Sequence, residues 1–315
     1  MLAVALRRLA VIPPALLVAS AAVFVLPRLL GGDVTRAVIR ARSASSTPDP
    51  AAQERLTREL GLDRPVVAQY LDWLAGALRG DLGTSFTTRG PVGTAVLEAA
   101  GTSLVLAGLA LAVALAVAVP LGALAAGRPG GGADRTTRWG GAVALAVPEF
   151  VLGPVLVLVV AVGAGWLPAL GWGSPEEAVL PVLTLAAFPA ALAARLVRAE
   201  TAEALAHPSV RAARAQGLSR RRTLAVHVVP RALTSVTAGA GPFVAGTIGG
   251  AVVVEVVFAV PGLGRLLAEA VGARDLPVLQ AGLVLVIAVA LLAALATELA
   301  QLAADPRLRC PGAGR

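Results

Sequence analysis

Apolar runs long enough to cross a bilayer, separated by short arginine-bearing stretches, organise this chain. A helix needs about 20 apolar residues to traverse the hydrocarbon core. Leu9–Pro27 and Ala99–Gly127 carry no charge, Trp139–Pro175 is interrupted only by Glu149, and Ala178–Ala194, Ala232–Val254 and Leu276–Thr297 complete the series. These runs predict six transmembrane helices at 9–30, 101–127, 138–163, 178–199, 231–257 and 277–304. The fourth run is short, and Arg195 and Arg198 extend it by reaching towards the headgroups. Lipid offers the backbone no hydrogen-bond partners, so continuous apolar runs of this kind are helices. A β-barrel would show short alternating segments instead. The fold class is therefore an all-α integral membrane protein.

The polar remainder divides unevenly. Segment 31–100 is the only sizeable insertion, lying between the first two spans. Its Asp33–Asp49 stretch is rich in Arg, Ser and Pro and reads as loosely structured. Ala51–Leu60 reads as a short amphipathic helix, and Pro65–Leu78 as another, with Val66, Tyr70, Trp73 and Leu74 on one face. Gly80-Asp-Leu-Gly83 is a turn signal. So long a connection with its own elements reads as a small subdomain, which either covers the pore or docks a partner, or else is a simple interfacial cap. The 200–230 segment is strongly basic. Val210–Gln216 predicts a short helix after Pro208, capped by Ser209 and ended by Gly217. Lying along the membrane, such a helix binds anionic lipid or fits a groove on a partner.

Arginine placement orients the spans. The tail before the first span carries +2, the 128–138 loop +2, the 195–231 segment +6 and the 305–315 tail +2. The opposite side carries zero over 31–100, −2 over 164–177 and zero over 258–276. Both termini are thus predicted to be cytoplasmic and segment 31–100 external. Arg7 and Arg8 before an apolar run also resemble a signal peptide, but the nineteen-residue run is long for one and favours a retained helix.

Composition then excludes chemistry. Of 315 residues 57% are hydrophobic and 15% charged, with mean hydropathy +0.80, against about 25% charge in soluble domains. All 27 basic residues are Arg. Without Lys no P-loop can be completed, nor any Schiff base formed through Lys. The single Cys310 excludes an internal disulfide and a multi-thiolate site, and His207 and His227 are a poor start for a metal centre. No catalytic constellation is visible in the spans. The net charge of +8 is a topology signal spread over loops, and it does not indicate nucleic-acid binding.

The residues of the 200–230 segment resemble a known family. Importer permeases driven by ATP-binding-cassette ATPases carry Glu-Ala-Ala, three residues, Gly, nine residues, then Ile-x-Leu-Pro on the cytoplasmic side. Here Arg211-Ala212-Ala213, Gly217 and His227-Val228-Val229-Pro230 occupy that frame. Ala213-Arg214-Ala215-Gln216-Gly217 and Val226-His227-Val228-Val229-Pro230-Arg231-Ala232-Leu233 resemble the dipeptide, oligopeptide and nickel group in particular. So do Leu60-Gly-Leu-Asp-Arg-Pro65, Gly80-Asp-Leu-Gly-Thr-Ser85, Glu255-Val-Val-Phe258 with Pro261-Gly-Leu-Gly-Arg265, Arg274-Asp275-Leu276-Pro277 and Asp305-Pro-Arg307. The departures are Ser209 for a frequent Tyr, Gln216 for Lys, Arg231 for Asn and Gln301 for Tyr. The absence of Lys fits a GC-rich bacterial genome.

The resemblance implies a permease subunit in the bacterial plasma membrane, half of a pathway for peptides or related solutes, nickel complexes included. It implies a second, different permease, one or two ATPases that hold ATP and Mg, and an external solute-binding protein, with membrane lipid around the spans and no cofactor in this chain. It divides the chain into 1–30 (tail and first span), 31–100 (external segment), 101–304 (permease core with the coupling segment 200–230) and 305–315 (cytoplasmic tail). Arg211, Ala212, Ala213, Arg214, Gly217, His227 and Pro230 become candidates for coupling to the ATPase, His227 having a structural alternative. Gate or pathway candidates are Glu149, Pro242, Glu255, Pro261, Gly262 and Gly264. Glu149 either lines the pathway or pairs across helices. Glu255 either makes a gate contact or bonds the following turn. Pro242 and its neighbouring glycines suit close packing and a kink alike. The alternative function is an ion-coupled secondary transporter, for which Glu149 is the one intramembrane acid placed to serve.

Overall fold

The computed structural model describes residues 9–29, 35, 38–39, 50–208, 210, 216–217, 219, 222 and 240–304. Among the described residues the chain is helical, with one isolated backbone bridge between Thr84 and Pro91. The helices are α1 (Ile12–Leu29), α2 (Pro50–Glu59), α3 (Val66–Leu78), α4 (Val92–Gly127), α5 (Gly132–Ala146), α6 (Glu149–Gly163), α7 (Pro175–Ala206), α8 (Ala240–Val257), α9 (Leu263–Ala273) and α10 (Leu276–Ala304). Wider π-type turns occur at Thr136–Gly140 in α5 and Val157–Gly163 in α6. Three helices among the described residues are long and apolar enough to cross a membrane, namely α4, α7 and α10, and the α5–α6 pair makes a fourth if it counts as one span. α1 and α8, of 18 residues each, lie within the predicted first and fifth spans, and residues 231–239 of the fifth lie outside the described residues.

Two compact units share the chain, one built around residues 104–260 with the end of α10, the other around residues 6–103 and 261–291. In the first, α7 is the central helix. It starts in a capping box, where the Ser174 hydroxyl accepts from the Glu177 N–H and the Glu177 carboxylate accepts from the Gly173 and Ser174 N–H groups. Its Leu180, Leu185 and Ala186 pack with Leu106, Ala110 and Ala114 of α4 and with Ala251 and Val254 of α8. On α4 a small residue recurs every fourth position, at Ala110, Ala114, Ala118 and Gly122. Ala118 lies in the cluster with Ala193 and Ala194 of α7. Such a stripe lets helix backbones approach closely. Leu104, Leu109, Leu115, Val117 and Leu124 on the same helix are exposed, as suits an apolar surface that meets lipid.

In the second unit, Val92, Val96, Ala99 and Ala100 pack with Leu263, Leu267 and Ala270 of α9 and with Val278 and Leu279 of α10. The Leu263 N–H donates to the Ser103 hydroxyl at 2.8 Å. At the other end of this unit Phe24 of α1 meets Tyr70 edge-on, ring centroids 5.3 Å apart, with Trp73 beside both. The Tyr70 and Ser20 hydroxyls are 3.0 Å apart. Tyr70 and Trp73 of the apolar face predicted for 65–78 therefore turn to α1, whereas Val66 of that face is exposed.

Two expectations need correction. The third span was predicted as one helix over 138–163, but it breaks at Val147–Pro148 and the two halves meet at 103°. Pro148 supplies no N–H and disfavours helical geometry at Val147, whose ψ is 111°. The second span begins at Val92 rather than 101, because Val92 and Val96 have a buried apolar face to join. The fourth also outruns its predicted 178–199, reaching Ala206.

Candidate functional site

α7 ends at Ala206, and the chain turns because His207 is extended, with ψ 141°, as a residue before proline prefers. Val210 is buried and packs back on Ala204 and Leu205. Gly217, predicted to end the short helix, is exposed at φ +88°, the left-handed region that favours glycine. Arg211, Ala212, Ala213, Arg214, His227 and Pro230 lie outside the described residues.

The break in the third span positions Glu149. It is the first residue of α6, directly after Pro148, and is half-buried. A carboxylate in the first turn of a helix sits at the favourable end of its dipole. Its side chain lies against α8 at Gly250, where a Cβ would fall 2.9 Å from Oε1 and 3.2 Å from Cδ. One turn along α6, Gly153 lies equally close to α8, its Cβ position 3.2 Å from Phe258 and 3.3 Å from Val257. Gly250 thus makes room for the carboxylate, and Gly153 lets α6 approach the end of α8.

Glu255, near the end of α8, is fully buried, and its backbone carbonyl accepts from the Val260 N–H at 2.9 Å. Pro261 is exposed, whereas Gly262 and Gly264 are buried. Gly262 is the residue before α9, and its carbonyl accepts from the Leu266 N–H. Pro242 falls within α8. Of the pathway candidates, Glu149 has a close approach to α8.

Two pairings escaped the sequence reading. Asp275, 2% exposed, accepts from the Ser85 hydroxyl at 2.5 Å, the Thr87 hydroxyl at 2.7 Å and the Phe86 N–H at 3.1 Å. It therefore binds the Gly80–Ser85 motif to the Arg274–Pro277 motif, two stretches 190 residues apart. Beside it lies a cavity of about 340 Å³ lined by Thr87, Thr94, Glu98 and Glu269. The second pairing joins Asp134, in the first turn of α5, to Arg198 of α7 at 2.6 Å. The available signals were the place of Asp275 in the Arg274–Pro277 stretch and a lone acid among arginines for Asp134. Neither names its partner.

The family model for the binding-protein-dependent transport system inner membrane component matches residues 118–309. A putative peptide transport system permease protein of Brucella abortus (strain 2308) is 34% identical, the match covering 98% of this chain and 99% of the relative. The glutathione transport system permease protein GsiC of Escherichia coli (strain K12) is 33% identical, covering 98% and 99%. A probable peptide ABC transporter permease protein of Sinorhizobium fredii is 34% identical, covering 91% and 93%.

Proposed function

The chain belongs to the binding-protein-dependent transport system inner membrane components, and from that premise we propose that it forms half of an ATP-driven uptake pathway for peptides or closely related solutes. It is an ABC importer permease, a multi-pass transport subunit of the bacterial plasma membrane rather than an enzyme. The observation that carries the peptide reading is the end-to-end match to relatives named for peptide and glutathione transport. Glu149 supports it chemically, because a half-buried carboxylate at a broken span suits the ammonium end of a peptide. Nickel complexes are the second cargo class that the motif resemblance admits.

In this reading all six predicted spans cross the membrane, with both termini inside. Segment 31–100 meets a solute-binding protein outside, and the partner permease is a related, different chain. Uphill transport needs an energy source, and ATP with Mg is held by separate ATPase subunits. Segment 200–230 is the coupling element. Arg211, Arg214 and their neighbours meet the ATPase, and Gly217 allows the sharp exit towards α8. Glu149, Pro242 and Glu255 serve the gate or pathway in one unit, and Pro261, Gly262 and Gly264 are separate gate or pathway residues in the other. The lack of Lys fits a GC-rich source.

The test is reconstitution of this chain with its partner permease, ATPases and binding protein in liposomes. Uptake of a labelled dipeptide, glutathione and a nickel chelate is compared with and without internal ATP. ATP-dependent peptide or glutathione uptake that survives collapse of ion gradients is expected, with Glu149→Gln slowing it. Uptake driven by an ion gradient without ATP would instead make the chain a secondary transporter, and nickel-only uptake would overturn the peptide assignment.

A further inference from the structure

One buried charge has no task in the pathway described above. Asp134 is 2% exposed, although the loop around it is basic. It accepts from the Gly130 N–H at 2.9 Å and from Arg198 Nε at 2.6 Å, and Arg138 Nε stands at 3.5 Å. A carboxylate taken out of water persists only when paired and hydrogen-bonded. Here the donors come from two separate parts of the chain. Gly130 and Arg138 belong to the loop and the start of α5, and Arg198 belongs to α7, about two turns before that helix delivers the chain to segment 200–230.

The same two helices meet again further along. The Cβ position of Gly141 in α5 lies 3.8 Å from Arg195 Cδ and 4.0 Å from the Ala191 carbonyl of α7. α5 is therefore held to α7 by an ion pair at its first turn and by close packing two turns later. Beyond Val147–Pro148 the chain changes direction by 103°, and α6 takes up its contacts with Gly250 and Phe258. The break is a joint: no continuous helical hydrogen-bond ladder crosses it, but only Val147 and Pro148 separate the helices, so a movement of α5 is passed directly to the start of α6 at Glu149.

We infer that Asp134 is a positioning residue of the coupling machinery: with Arg198 it clamps α5 to the helix that carries the coupling segment, so that a displacement of that segment reaches the Pro148 break and the Glu149 carboxylate beyond it. The inference rests on the proposed role of segment 200–230. It assigns the 128–138 loop a part in transmission, which its basic charge alone would assign to topology. The ion pair holds in one register, since the Arg198 guanidinium must meet a carboxylate whose other oxygen is held by the Gly130 N–H.

The experiment uses the complete importer in liposomes and reads the ATP hydrolysed per peptide imported. Asp134→Asn keeps an acceptor for the Gly130 N–H and removes the charge that holds Arg198. That ratio is expected to rise by roughly fivefold or more, the lower end of ordinary coupling between sites. A ratio within about twofold of the unaltered importer overturns the inference. Should Asp134→Asn fail to assemble, Arg198→Gln decides by the same criterion, because it leaves Asp134 its loop donors. A general loss of stability lowers the amount of importer and leaves the ratio unmoved. Gly217→Trp in the same vesicles tests the underlying reading separately. An unchanged ratio there overturns the coupling role of the segment. A raised ratio there, with an unchanged one for Asp134→Asn, overturns the clamp alone.

Discussion

The crossing of α4 and α7 offers the sharpest test of how this bundle is held. Gly122 stands where a Cβ would lie 2.6 Å from the Ala194 carbonyl oxygen, 2.8 Å from Val197 Cβ and 2.9 Å from Val197 Cγ1. Two of these three atoms cannot rotate away, because one is backbone and one is a Cβ. Gly122→Ala must therefore push the helices apart by most of an ångström to restore ordinary contact. Overpacking of this kind costs about 1–3 kcal/mol, and the gain in helix propensity from Gly to Ala returns about 1 kcal/mol at most. The control is Gly108→Ala on the same helix, where nothing lies within 4 Å of the new methyl, so that only the propensity gain remains. Thermal inactivation of the purified complex measures the difference. Gly122→Ala should melt roughly 2–12 °C below Gly108→Ala on the scale of about 2–4 °C per kcal/mol for larger domains. Gly122→Leu should fail to assemble. If Gly122→Ala melts at or above the Gly108→Ala variant, the small-residue stripe does not set the helix spacing and the packing argument fails.

Two further outcomes follow from other contacts. Asp275→Ala strands two hydroxyls and backbone N–H groups at 85–87, at about 1–3 kcal/mol. Amide exchange over 85–88 and the start of α10 should quicken, and unchanged protection would show that Asp275 does not hold the two motifs together. Gly250→Val fills the notch that receives the Glu149 carboxylate and should depress uptake, while Gly249→Ala, with open space around its Cβ position, should leave uptake near normal. Equal effects of the two would remove Glu149 from the gate.

Much of the architecture was legible because the bilayer imposes it. Uncharged runs of bilayer length placed α4, α7 and α10, and the apolar spacing at Val66, Tyr70, Trp73 and Leu74 placed α3 to within a residue. Gly217 was read as the end of a short helix; its φ is positive, and residues 211–215 of that helix lie outside the described residues. The third span was not legible as a broken one. Hydropathy sums side-chain transfer energies and does not register direction, so Pro148 left the apolar run intact while turning its axis. The early start of α4 was missed for a related reason, since Val92 and Val96 gain their helical context from α9 and α10 rather than from neighbours in sequence.

By itself the sequence determined that this chain lives in a membrane, roughly where it crosses, that it lacks the lysine a P-loop requires, and which family motifs it carries in order. These properties are written in local composition and spacing, which need no partner to be read. Tertiary structure alone decided that Asp275 grips a turn 190 residues away, that Asp134 pairs with Arg198, and that Glu149 rests in a notch left by Gly250. A charge in a chain written out as letters has no address. Only folding brings to each carboxylate the donors or the space that make its burial tolerable, and through them the positions from which it can act.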